Sequence, residues 1–170
     1  MDDIDTRRRI YEEIVFNPGL HFRELQRRLN MPVGLLSYHL KVLMEKGIII
    51  VRKEGKYTRY FPNTTMTQEE RKIIGVLRNE VARRIVIFLL EEGRKTHQEI
   101  TNHFELSPST ISYHLARLVK KGILEKEIVG RESYFWVRKP EEVAFTIIKY
   151  RKSFLDRLVD NFASLWTKRK

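Results

Sequence analysis

Apolar residues recur three and four positions apart along most of the chain and crowd into short β-branched or aromatic runs elsewhere, so the pattern alternates between helix and strand. A first helix, capped by Asp5 or Thr6, carries Ile10, Ile14 and Tyr11 inward, runs to about Phe16 and is stopped by Asn17, Pro18 and Gly19. Residues 21–29 form a short second helix with Phe22, Leu25 and Leu29 on one side, and Asn30, Met31 and Pro32 turn the chain into a third, residues 33–46. At about 100° per residue, Leu36, Leu40, Leu43 and Gly47 share one narrow face of this third helix, while Gly34, Tyr38, Lys41 and Glu45 lie opposite. One face therefore packs and the other is presented. Gly47 stands where a helix commonly ends in the left-handed conformation. Residues 48–51 then read as a strand, and a basic turn around Gly55 with an aromatic strand, residues 57–61, completes a hairpin.

The same pattern returns. The run Leu36-Ser37-Tyr38-His39-Leu40, Leu43 and Lys46-Gly47-Ile48 reappears 75 positions later as Ile111-Ser112-Tyr113-His114-Leu115, Leu118 and Lys121-Gly122-Ile123. The alignment needs no gap from Arg8, Arg9 and Ile10 against Arg83, Arg84 and Ile85 as far as Gly55 against Gly130. Such self-similarity means one structural unit used twice. In the second unit a helix capped by Asn79 carries Val81, Ile85, Phe88 and Leu89; helices over 96–104 and 108–121 and a hairpin over 123–137 follow. Ser107 before Pro108 is a strong helix start, whereas the aligned Pro32 offers no side-chain acceptor, so the first unit's turn is expected to be looser.

Helix, helix, presented helix and hairpin is the order of a winged helix-turn-helix. The "SYHL..L..KGI" run followed by a basic wing resembles the recognition helix and wing of ArsR-like winged-helix transcription regulators, especially archaeal chains with two such domains in tandem. The resemblance covers the chain up to about Val137. It implies a mostly α fold with small β-hairpin wings (α+β), DNA binding and transcription regulation. Metal sensing, common among ArsR-like proteins, is not carried over. His21, His97 and His103 show no metal-ligand spacing, His39 and His114 read as semi-buried structural residues, and cysteine is absent.

The expected domains are 1–65 and 66–139, with 140–170 as a C-terminal amphipathic helix. The boundary falls in the short polar stretch 62–66. Thr67 and Glu70, at capping-box spacing, start a connecting helix with Ile73, Ile74 and Leu77 that is expected to pack the two domains together. Beyond Pro140, Ile148, Leu155 and Phe162 repeat at seven, as do Leu158 and Leu165, with Ile147, Phe154, Val159 and Trp166 widening the stripe. One long helix with this stripe is expected to pair with a second copy, giving a homodimer.

Charge sharpens the choice of partner. Lys and Arg number 33 against 22 Asp and Glu, a formal net charge of +11. That excess favours a polyanion, since each neutralised phosphate releases condensed counterions; a charged thermophile surface is the simpler alternative, though such surfaces are more balanced in sign. The absence of cysteine removes disulfides and thiolate metal sites. No apolar run approaches the roughly 20 residues that span a bilayer, and the acidic start at Met1, Asp2 and Asp3 is unlike a signal peptide. A cytoplasmic protein without a membrane partner is expected.

The candidate DNA contacts are Ser37, Tyr38 and Lys41 on the first presented helix, and Ser107, Ser109, Thr110, Ser112, Tyr113 and Arg117 on the second. Hydroxyls and Arg contact base edges in the major groove, and a Tyr twice placed opposite the packed face is a costly ornament if it only meets water. Arg52, Lys53, Lys56 and Arg59 give the first wing its grip on phosphate; in the second, Glu125, Glu127 and Glu132 offset Lys126 and Arg131. The division implied is electrostatic grip from domain one and base reading from domain two. No phosphate loop, paired acid and base, or cofactor motif is present, so an enzyme is not expected. Two other readings stand beside double-stranded DNA. One is a winged-helix interaction scaffold in transcription; the other is a single-strand binder stacking bases on Tyr57, Tyr60, Phe61, Tyr134, Phe135 and Trp136.

Overall fold

The computed structural model describes residues 2–63 and 66–168. It forms two compact units, Met1–Gly75 and Val76–Lys170. The first contains α1 (Asp3–Phe16), β1 (Leu20–His21), α2 (Phe22–Leu29), α3 (Val33–Glu45), β2 (Ile49–Glu54) and β3 (Tyr57–Pro62), followed by α4 (Gln68–Leu77). The second contains α5 (Glu80–Glu92), β4 (Lys95–Thr96), α6 (His97–His103), α7 (Pro108–Lys120), β5 (Leu124–Val129), β6 (Glu132–Val137), α8 (Pro140–Lys149), α9 (Arg151–Phe154) and α10 (Arg157–Lys168).

The repeated element order produces the same sheet twice. Each hairpin gains a two-residue third strand, giving the antiparallel orders β1-β3-β2 and β4-β6-β5. Leu20 pairs with Tyr60 in the first sheet, and Thr96 with Tyr134 in the second. In the first unit Ile10, Ile14, Leu25, Leu36, Leu40, Leu43 and Ile49 close a common core. Ile85, Leu89, Ile100, Ile111, Leu115, Leu118 and Leu124 are the corresponding buried set in the second.

Local chemistry explains the element ends. The Ser107 hydroxyl accepts from the Thr110 backbone N–H, Asn79 caps α5 through the Ala82 N–H, and Thr67 with Glu70 closes a reciprocal capping box. Pro32 precedes α3 with no side-chain cap. Gly47 and Gly122 end the presented helices at φ +69° and +76°, where a Cβ would be strained. The first cap differs from expectation: Asp2, ahead of Asp5 and Thr6, accepts from the Asp5 N–H at 2.8 Å.

The division between units lies within α4 at Gly75–Val76, beyond the 62–66 stretch, and residues 140–168 belong to the second unit's fold. The expected single terminal helix is also corrected. Leu155 takes a left-handed conformation (φ +49°) and breaks the segment between α9 and α10. A polar anchor holds the break. Asp156 accepts from Arg83 Nε at 2.9 Å and from the Leu158 N–H at 2.9 Å, Arg78 donates to Ser153, and both guanidinium groups lie over the Phe154 ring. α10 then packs back on α8 and α5, burying Ile147, Val159 and Phe162. Burying a Phe side chain is worth roughly 2 to 3 kcal/mol, so Phe162 is committed to its own unit. The heptad stripe is thereby split, with Phe162 inside, Ile148 and Leu158 half-buried, and Leu155 and Leu165 exposed.

Candidate nucleic-acid interface

Each unit presents the outer face of its third helix beside its hairpin. The core residues fix the rotation of α3 and α7, and Tyr38 and Tyr113 emerge at equivalent positions, 54% and 57% exposed. Ser37, Lys41, Ser109, Ser112 and Tyr113 are all on the solvent side; Thr110 and Arg117 are partly covered. Arg117 stands over the Tyr113 ring at 6.0 Å from its centroid. A guanidinium backed by an aromatic face is pre-positioned at little extra entropic cost.

The hydroxyls are already organised. Ser107 Oγ lies 3.1 Å from Ser109 Oγ and 2.8 Å from Thr110 Oγ1, so the α7 cap is the hub of a three-hydroxyl cluster. Ser112 Oγ is 2.7 Å from His97 Nε2, whose other ring nitrogen is 3.3 Å from Thr101 Oγ1. His97 thus meets the Ser112 hydroxyl, a contact that its spacing from other histidines did not reveal. A cavity of about 490 Å³ opens beside this contact, lined by His97, Ser112, Ala116, Lys120, Lys126 and Phe135.

The wings differ more than their sequences suggest. Among the described residues, Arg52, Lys53 and Lys56 form no salt bridge, and Lys53 and Lys56 are exposed. In the second wing Glu127 binds Arg94 at 2.7 Å, Glu125 meets Arg138 at 3.6 Å, and Glu132 accepts from the Tyr134 hydroxyl. Arg94, missed in the sequence, also lies against the Tyr134 and Trp136 rings. Arg131 remains exposed at the hairpin turn.

Arg59 is a correction. It is only 5% exposed, its Nη1 donates to the Gly19 carbonyl at 2.8 Å, and its register partner His21 lies on β1. The short third strand covers it, so it braces the sheet and is not a phosphate contact. Lys41, though exposed, faces Glu45 at 4.0 Å. The aromatic platform also fails as an open surface. Tyr60, Phe61 and Phe135 are buried, Tyr57 stacks on His21 at 4.6 Å, and Arg94 covers Tyr134 and Trp136.

Of the two histidines beside the presented faces, His39 is buried, with Nε2 3.9 Å from Asp3. His114 is half-buried, and burial, aided by the Arg117 charge, pushes its pKa below the ordinary value. Among the described residues no group of three or more His, Asp or Glu is arranged to hold a metal ion, and no helix is long and apolar enough to cross a membrane.

These elements define two winged helix-turn-helix domains in tandem, the α+β architecture that the hydrophobic pattern predicts. Residues 4–74 match a family described as an N-terminal HTH domain, and residues 80–126 match the bacterial regulatory protein, arsR family. The two matches fall one on each domain, the second of them to the arsR type. An uncharacterised HTH-type transcriptional regulator of Methanocaldococcus jannaschii is 31% identical over 148 residues, which is 87% of this chain and 36% of that protein. The chain spans little more than a third of that relative's length. Among solved structures, an ArsR family transcriptional regulator is 19% identical with a TM-score of 0.40, covering 55% of this chain and 98% of its own. The endosomal complex ESCRT-II gives 15% identity and a TM-score of 0.33, covering 83% of this chain and 63% of that one.

Proposed function

We propose that this chain is a transcription regulator that binds double-stranded DNA sequence-specifically through both presented helices, without enzymatic activity of its own. The observation that carries the reading is the twice-repeated exposed Tyr on a helix face of major-groove size, flanked in the first unit by cations that no described carboxylate pairs and in the second by organised hydroxyls and Arg117. Its resemblance to the archaeal HTH-type regulator supports it. Grip on phosphate comes mainly from Arg52, Lys53 and Lys56. Base reading in the second unit comes from Ser109, Thr110, Ser112, Tyr113 and Arg117, with Arg131 as an accessory cation. Burial of Tyr60, Phe61 and Phe135 speaks against the single-strand alternative.

We extend the proposal to a homodimer formed by the side chains that the terminal helices leave exposed, Phe145, Leu155 and Leu165, in place of a continuous heptad stripe. A two-fold assembly favours a palindromic operator. The test is binding of the full chain to duplexes selected from a random pool, to random duplex and to single strands, each at two salt concentrations. Preference for a selected duplex with a steep salt slope is expected; equal affinity for all duplexes removes sequence reading. Sedimentation that finds only monomer at tens of micromolar removes the dimer.

A further inference from the structure

The first turn of α3 carries chemistry unlike that of α7. At the positions of Pro108, Ser109 and Thr110 it has Val33, Gly34 and Leu35, with no acid in that turn. Val33 is 56% exposed and Leu35 42% exposed, although both are apolar. Gly34 lies between them on the side opposite the packed face, and a Cβ added there meets nothing within 4 Å.

Neither feature has a reason inside the protein. Gly34 has helical backbone rather than positive φ, so no conformational need selects glycine, and glycine in a helix costs stability relative to alanine. What glycine adds is close approach of the backbone to something outside the chain. Two exposed aliphatic side chains beside it require that this partner be apolar where they touch. The hairpin's Arg52, Lys53 and Lys56, which no described carboxylate neutralises, require it to be anionic nearby. The major groove meets all three conditions. Its edge bears one apolar group, the thymine C5 methyl, and the first residues of a recognition helix are those that reach base edges.

We infer that the first unit reads thymine methyls in the major groove through Val33 and Leu35, with Gly34 letting the α3 backbone close on the base edges, while the second unit reads hydrogen-bonding groups. The inference rests on the DNA-binding reading above and gives the first unit a share in base reading beyond electrostatic grip. An apolar protein surface is the competing occupant, but it does not account for the uncompensated cations.

The test uses the full-length chain and a duplex enriched from a random pool. Each thymine is replaced in turn by deoxyuracil, which keeps every hydrogen-bonding group and loses only the methyl. Affinity is expected to fall about fourfold at one or more thymines, the value of one buried methyl-sized group. Leu35→Ala should bind the thymine duplex less tightly and be indifferent to the same replacement. Gly34→Ala should raise Tm by a few degrees and yet weaken duplex binding at least fourfold. Both sites are solvent-exposed, so melting curves verify the folded state. Uracil-neutral binding at every position, a Leu35→Ala protein as sensitive as wild type, or a Gly34→Ala protein that binds normally overturns the inference while the DNA-binding reading stands. If no duplex is enriched from the pool, that reading falls and the inference with it.

Discussion

The two hairpins share one pattern and one sheet order yet differ in how their charges are paired. The first keeps Arg52, Lys53 and Lys56 without salt-bridge partners among the described residues. The second spends its acids on Arg94, Arg138 and the Tyr134 hydroxyl. A free cation retains its full value toward phosphate, while one already paired must give up a partner to gain another. The presented helices differ in a complementary way, since α7 has an organised hydroxyl cluster and an Arg set on Tyr113, and α3 has an apolar, glycine-containing first turn. A duplicated scaffold can thus carry different surface chemistry on each copy without altering its core, because the buried sets of the two units correspond position by position.

The largest effect expected breaks this comparison at the wings. Replacing Arg52, Lys53 and Lys56 by Gln should weaken binding to cognate and random duplexes alike, by about a hundredfold near physiological salt. The salt slope should shrink by about one for each lost phosphate contact. Replacing Lys126 and Arg131 should cost clearly less. Titrations at several salt concentrations measure both, and equal losses from the two wings would show that the charge networks make no difference. Arg59 is left out of the first set because its loss would be read in stability.

That exclusion marks where the sequence is informative and where it is silent. Ser107, Asn79, Thr67 and Glu70 were legible as caps because capping is decided within four residues. The presented faces were legible because core spacing fixes helix rotation, and Tyr38 and Tyr113 emerge as expected. Arg59 was not legible: a cation on an aromatic hairpin looks like a wing contact until β1, only two residues long, covers it. The break at Leu155 has no local signal either, since leucine is a poor choice for positive φ. It is held by Arg78 and Arg83, more than seventy residues away in the sequence.

Next in size is discrimination by the second unit. Tyr113→Ala or Arg117→Ala should cost about 1 to 3 kcal/mol on a selected duplex and little on random DNA. The equivalent Tyr38→Ala should cost less, because no Arg among the described residues is set over Tyr38. Competition binding against random duplex reads the difference directly; equal losses on both DNAs would make these residues phosphate contacts.

The helix starts offer a smaller and cleaner contrast. Ser107→Ala removes the α7 cap and should cost about 1 kcal/mol of stability. Pro32→Ser gives α3 the acceptor it lacks and should return a fraction of that, less the rigidity that proline provided. Chemical denaturation of the two variants measures both signs. A Pro32→Ser protein that is destabilised would show that the fixed φ at position 32 outweighs a missing cap.

The smallest effect lies at two histidines, His114 on α7 and His21 on β1. Burial, with the Arg117 charge in support, holds the His114 pKa below its ordinary value of 6.5. A histidine whose folded pKa is lowered leaves stability untouched above about pH 6.5, where folded and unfolded chains are both neutral. As pH falls below that value the unfolded chain takes up its proton first. Stability therefore declines until pH reaches the folded pKa, after which the loss is constant. His114→Gln should flatten this decline in the acid range relative to the wild type. His21, whose pKa is also lowered by burial, acts in the same direction in the first unit despite the opposing pull of Glu24. Denaturation of His114→Gln and His21→Gln from pH 8 to pH 5 separates the two contributions. A decline as steep in both variants as in the wild type would assign the acid sensitivity to groups other than these two histidines.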